Sequence, residues 1–162
     1  LIAANILKKK YPKINFYIAG PTEKKEIGES ILFQKKINYK KIIQKNKNVK
    51  YLGFLKNNKS NFKNFDCLIS PSFTEGAGTS VMEALNYGLF VIGYNNNGHE
   101  YVLKNTGNTI CKNNKPNDLI IEVEKYLKLN NNKINYIRKQ SYKKVKEYDS
   151  KIISLLILNI LY

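Results

Sequence analysis

Two glutamates, Glu75 and Glu83, enclose Gly76, Ala77, Gly78, Thr79 and Ser80 within the run from Ser70 to Leu85. These residue types suit the recognition of a sugar phosphate. Carboxylates accept hydrogen bonds from sugar hydroxyls, and the backbone N–H groups of a glycine turn and a helix start receive phosphate oxygens. A ligand lying along the run meets an acceptor at Glu75, donors from Gly76 to Ser80 and a second acceptor at Glu83. A hexose, a diphosphate and a ribose satisfy that series. Glu83 follows Thr79 by one helical turn, so it shares a face with Thr79 and Asn86 rather than with the apolar Val81, Ala84 and Leu85. An isolated pair of glutamates at this spacing is ordinarily a pair of solvated charges. The glycines between a strand and a helix are what favour a site.

Positioning these groups requires a strand that delivers the loop and a helix that receives it. Asp66-Cys67-Leu68-Ile69-Ser70 reads as a short strand, and the helical spacing of Val81, Ala84 and Leu85 stops at Gly88. Over the whole chain, strands are expected near 14–19, 49–53, 66–70, 90–94 and 108–111. Helices are expected near 1–10, 28–46, 60–65, 79–87, 117–129, 132–147 and 150–161. Short continuous apolar strands alternating with helices predict an α/β fold, a Rossmann-like parallel sheet covered by helices on both faces. Ligands bind such sheets at the C-terminal ends of the strands. Gly20, Gly53 and Gly76 fall at or just past strand ends, as one shared cleft would require. No internal repeat is visible, and Asn95-Asn96-Asn97 and Asn130-Asn131-Asn132 read as loops by composition.

Pro71-Ser72, Glu75, Gly76, Gly78, Glu83-Ala84, Gly88 and Val91-Ile92 stand in the register of a known pattern, a Glu-x7-Glu motif after Pro-Ser. Upstream, Ile14-Asn15-Phe16-Tyr17-Ile18-Ala19-Gly20 matches a strand ending in glycine, and Val49-Lys50-Tyr51-Leu52-Gly53-Phe54 matches the strand before a base pocket. In these features the chain resembles the family 4 glycosyltransferases, retaining enzymes of the two-domain GT-B fold, in their C-terminal, donor-binding domain. The resemblance implies that Glu83 binds the ribose of a nucleotide diphosphate sugar and that Glu75, the catalytic candidate, binds the sugar hydroxyls. It places the sugar and diphosphate on the amides of Gly76, Ala77, Gly78, Thr79 and Ser80. Gly20 lies at the strand end facing the donor, and Phe54 and Leu55 receive the base. It further implies transfer with retention, the leaving diphosphate helping to deprotonate the acceptor. The expected acceptor is a cell-surface glycan or its lipid-linked precursor. With Asp66, Asp118 and Asp149 as the only aspartates, no Asp-x-Asp motif exists, and neither a metal nor a cofactor is expected.

The chain also departs from the family pattern. It opens on Leu1-Ile2-Ala3-Ala4-Asn5-Ile6-Leu7-Lys8, which reads as a helix already under way. In the family a strand and a Gly-Arg turn with a phosphate-binding Lys precede this helix. Residues 1–162 are accordingly expected to form one N-terminally truncated domain without its first strand and without the acceptor-binding domain, and so to be inactive alone. Arg138 is the only arginine. Ala77 stands where the family often has an aromatic, which alters the lining of the donor pocket. Asn97-Gly98-His99-Glu100 replaces the usual Gly-Gly-x-Pro-Glu, and the sole histidine, His99, is expected to serve a helix start or loop rather than catalysis.

The net charge is +16, from 28 Lys and Arg against 12 Asp and Glu. Such charge suits nucleic acid or an anionic surface, but nearly all of it is Lys, accompanied by many Asn, Ile and Tyr. Base and phosphate recognition favours Arg forks, so nucleic acid is the disfavoured partner. Lys35, Lys36, Lys40, Lys41, Lys45 and Lys47 recur at helical spacing and are the best candidates for peripheral contact with an anionic membrane; a solvated face is the plainer reading. Cys67 and Cys111 have no metal-ligand spacing and read as buried thiols of a reducing compartment. Ile152 to Tyr162 is too short for a membrane span and reads as a closing helix. The expected location is cytoplasmic, at the inner face of the membrane where peripheral. Competing functions are a nucleotide-sugar epimerase of the GT-B architecture and a basic nucleic-acid-binding module.

Overall fold

A computed structural model of the chain describes residues 1–20, 39–53, 55, 62–76 and 78–149. The chain forms two compact units, Leu1–Asn58 and Lys59–Tyr162. In the first, helix α1 (Ile2–Lys10) precedes strand β1 (Phe16–Ala19), and helix α2 (Tyr39–Gln44) precedes strand β2 (Val49–Gly53). Lys8, Lys9 and Lys10 crowd the last turn of α1, where the helix dipole favours cations. Strands β1 and β2 pair in parallel with Phe16 opposite Val49, and the register shifts between Ile18 and Ala19. At their C-terminal ends Gly20 N–H donates to the Gly53 carbonyl at 2.8 Å, and the Tyr51 hydroxyl donates to the Gly20 carbonyl at 2.8 Å. Among the described residues of this unit, Leu7, Ile43 and Val49 are the buried apolar ones.

The second unit is built on strands β3 (Cys67–Ser70), β4 (Phe90–Gly93) and β5 (Thr109–Ile110), all parallel, with β4 in the middle. Helices α3 (Thr79–Asn86), α4 (Asn97–Leu103), α5 (Pro116–Leu127) and α6 (Asn131–Lys146) complete it. All four residues of β4 are buried, as a strand covered on both faces requires, and its sequence is apolar without alternation. Val81, Ala84 and Leu85 of α3 pack with Leu89, Val91, Val102 and Leu103 into one cluster. Burying each Val or Leu there contributes roughly 1.5–3 kcal/mol. Thus the face of α3 opposite Glu83 is committed to the core, which fixes the rotation of the helix and hence the direction of its polar residues.

Side chains from α6 and its neighbours secure the other end of the sheet. The Asn108 carboxamide accepts from Val91 N–H at 2.7 Å and donates to the Ser141 hydroxyl at 2.9 Å. Arg138, the lone arginine, donates from Nε to the Gly88 carbonyl at 2.9 Å.

Strand positions agree with expectation, β5 being shorter than 108–111. Asn97, expected in a loop, is instead the first residue of α4, a helix absent from the sequence-based assignment. Asn96 caps it, its Oδ1 accepting from His99 N–H at 2.8 Å, and burial of Val102 and Leu103 holds its final turn. Residues 28–38 of one expected helix, 60–61 of another and the closing helix at 150–161 lie outside the described residues, as do Lys35 and Lys36.

Candidate functional site

Strand β3 ends at the buried Ser70, the loop from Pro71 to Gly76 follows it, and Gly78 stands immediately before α3. Gly78 is the residue before the helix, with φ 56° and ψ 62° in the left-handed region, where a side chain is strained. Its carbonyl accepts from Val81 N–H at 2.9 Å and Met82 N–H at 3.0 Å. No side chain caps α3 and no acidic residue occupies its first turn. The exposed Thr79 and Ser80 therefore present the first amides of the helix at its positive end. Glu75 and Glu83, both half-buried, stand before and after them.

The loop that carries Glu75 is held from behind. A Cβ placed on Gly98 would fall well inside contact distance of the Gly76 carbonyl oxygen and 2.6 Å from that of Glu75. Only glycine permits this approach. The adjacent His99 is fully buried, with Nδ1 2.7 Å from the Tyr94 carbonyl and Nε2 3.0 Å from the Ser70 hydroxyl. With its proton on Nδ1 the ring donates to Tyr94 and accepts from the Ser70 hydroxyl at Nε2, so the nearby Asn96 amide is a close contact of Nδ1 rather than a hydrogen bond to it. Asn96 Nδ2 lies 2.9 Å from His99 Nδ1 and donates to the Ser72 carbonyl at 2.8 Å. Phe73, 69% exposed, rests edge-on against Tyr94 with centroids 5.4 Å apart.

Further along the same edge of the sheet, Asn114 Nδ2 donates to the Asn95 carbonyl at 2.7 Å and its Oδ1 accepts from Asn95 N–H, joining the segments after β4 and β5. The Asp118 carboxylate accepts from Lys115 N–H at 2.9 Å and Asn113 N–H at 3.1 Å. These bonds, that of Lys115 foremost, hold its carboxyl below the usual carboxylate range.

The structure brings Glu75, Gly76, Gly78, Thr79, Ser80 and Glu83 together on one loop and helix of the second unit. Gly20, at the end of β1, and the half-buried Leu55 belong to the first unit. Phe54 and Ala77 lie outside the described residues. Asn96 and Gly98 were not singled out as site residues by sequence; an Asn three places before a histidine amide, ahead of Val102 and Leu103, was the available signal. His99 sits in the first turn of α4, the first of the two settings, helix start or loop, expected of it. Cys67 and Cys111 are poor nucleophiles: burial, with Asp66 adding to it, pushes the Cys67 thiol up to about 12, and burial pushes that of Cys111 up to about 11. Among the described residues no group of three or more His, Cys, Asp or Glu is placed to hold a metal, and no helix is long and apolar enough to cross a membrane.

The family described as Glycosyl transferases group 1 matches residues 1–144. Among solved structures, the chain is similar to a sucrose-phosphate synthase from Thermosynechococcus elongatus, with a TM-score of 0.75 at 14% identity over 99% of this chain and 41% of that one. It is similar to Anabaena HepE in complex with UDP and glucose, with a TM-score of 0.74 at 17% identity over 99% of this chain and 43% of that one. It is also similar to the C-terminal domain of a glycosyl transferase group 1 family protein, LpcC, from Francisella tularensis, with a TM-score of 0.66 at 18% identity over 89% of this chain and 74% of that one. The chain thus spans less than half the length of the first two. No curated protein sequence matches it. The likeness to these structures is one of fold, α/β with parallel sheets flanked by helices, of the GT-B kind.

Proposed function

The chain belongs to the glycosyl transferases group 1 family, and from that premise we propose that it carries the donor side of a retaining, family 4 hexosyltransferase that uses a nucleotide diphosphate sugar. The observation that carries this reading is the uncapped, Gly78-headed start of α3 with a carboxylate on either side. Glu83 binds the ribose, the amides from Gly76 to Ser80 bind the diphosphate, and Glu75 binds hydroxyls of the hexose. Gly20, Phe54 and Leu55 serve the nucleotide. UDP in the structurally similar HepE supports a nucleoside diphosphate as the common element.

In the proposed step the acceptor oxygen bonds to the anomeric carbon as the bond from that carbon to the diphosphate breaks, on the same face. The acceptor proton passes to the departing phosphate oxygen. The positive end of α3 stabilises the charge that develops on the diphosphate, and no cofactor is assigned a part. The acceptor is a cell-surface glycan or its lipid-linked precursor. The enzyme works in the cytoplasm, and its basic surface holds it at the inner face of the membrane.

The test is to supply the full-length protein with labelled nucleotide sugars differing in base and hexose, and to read the anomeric configuration of the product by NMR. Retained configuration with one donor is the expected result. An inverted product refutes the proposed step, and release of an epimerised nucleotide sugar without transfer refutes the transferase reading.

A further inference from the structure

The buried Gly98 at the start of α4 lies against the carbonyl oxygens of Glu75 and Gly76. We propose that Gly98 and His99 are positioning residues that set the direction in which the Glu75-Gly76 peptide is presented to a diphosphate sugar. The inference rests on the reading of this loop as the donor site.

The geometry follows from the planarity of the peptide bond. No cis peptide occurs in the described chain, so C=O and the next N–H lie on opposite edges of one plane. The Glu75 carbonyl faces Gly98. The Gly76 N–H, its antiparallel partner, therefore faces away from α4, toward the exposed side of the loop. Rotation of this peptide would turn an acceptor toward the phosphates instead of a donor. Gly98 permits the orientation by leaving room for it, since any Cβ there would press on both carbonyl oxygens and drive the peptide away. His99 and Asn96 enforce it by tension: they hold Ser70, Tyr94 and Ser72 in one hydrogen-bonded group, which fixes the root of the loop relative to α4. With every contact inside one unit, the arrangement is present before any ligand arrives.

The 162-residue chain can be examined by amide NMR, with inorganic pyrophosphate and with uridine, adenosine and guanosine diphosphates as probes. Gly98→Ala removes no hydrogen bond of the histidine group. It should nonetheless shift the Gly76 and Gly78 amide resonances of the free protein and weaken diphosphate binding about tenfold, the weight of one charge-assisted hydrogen bond. Signals from β4 should stay in place. His99→Phe should do the same, and His99→Gln, whose side-chain oxygen can still accept from Ser70, should recover part of the affinity. A structural role alone would lower the melting temperature without this selective recovery.

Wild-type Gly76 resonances and affinity in both Gly98→Ala and His99→Phe would overturn the inference. Should Gly98→Ala fail to fold, the comparison of His99→Phe with His99→Gln decides: equal affinities overturn it and recovery supports it. A wild-type chain that binds none of the diphosphates would sink the donor-site reading. The shifts of the free variants would then still decide whether α4 sets the loop.

Discussion

Glu75 and Glu83 are chemically alike and differ in what holds them: one stands in a loop braced by Gly98, the other on a helix rotated by its core face. Under the proposed function they should fail differently. The ribose contact is the same in the ground and transition states, so Glu83→Ala should weaken donor binding by about 1.5–3 kcal/mol, seen by calorimetry. Contacts to the hexose tighten as charge develops at the anomeric carbon, so Glu75→Ala should depress kcat more than donor affinity. Equal losses of affinity with unchanged turnover at saturating donor would contradict that division. Both glutamates and the glycines between them were legible in the sequence because strand, turn and helix are contiguous there. Gly98 was not: its constraint comes from backbone more than twenty residues upstream, which no local pattern records. Arg138 was legible only as the lone arginine; its use, a bond to the Gly88 carbonyl, depends on how α6 lies over the unit.

Among the elements, the long amphipathic helices and the apolar strands were read well, since burial of a continuous face leaves a periodic trace. Helix α4 was missed for the converse reason. It is seven residues long and begins Asn-Gly-His, residues whose intrinsic preference is for turns, and it forms because an Asn96 cap and two buried apolar residues outweigh that preference. A similar polar entry governs α5, where Asp118 binds the amides of Lys115 and Asn113. Its carboxyl is held below the ordinary value of 3.8, by these bonds first. A lowered pKa in the folded state means that the stabilisation is complete above the unfolded value and is lost as pH falls through the folded one. Asp118→Asn should therefore leave a shallower acid limb below pH 3.8 in a plot of melting temperature against pH. An unchanged limb would assign the acid sensitivity elsewhere.

At the scale of the whole molecule the dominant fact is a charge of +16, carried by lysines of which the described ones lie largely at the surface. Lys41, Lys45 and Lys47 are exposed in the first unit, and Lys133, Lys139, Lys143 and Lys146 on α6 in the second. If the surface serves the proposed membrane contact, the chain should sediment with phosphatidylglycerol vesicles at low salt and leave them as the Debye length contracts toward about 8 Å at physiological ionic strength. Charge reversal of Lys41, Lys45 and Lys47 should reduce the bound fraction more than the same change at Lys133, Lys139 and Lys143. Equal reductions would mean that net charge, rather than the cluster read from the sequence, holds the protein there. The α/β class was evident from the alternation of elements. The division into Leu1–Asn58 and Lys59–Tyr162 was not, because no shift in composition marks it.

The tight seat of Gly98 bears finally on how the protein ages. An asparagine followed by glycine loses its amide readily, since the glycine nitrogen can attack the side-chain carbonyl with little hindrance, but ring closure needs backbone freedom. Asn97 and Gly98 occupy the first turn of α4 with Gly98 wedged against two carbonyls, so the folded chain denies that freedom. Conversion at Asn97 should accumulate only while α4 is open. Peptide mapping of stored protein would thus read, at one residue, the cumulative time that α4 has spent open.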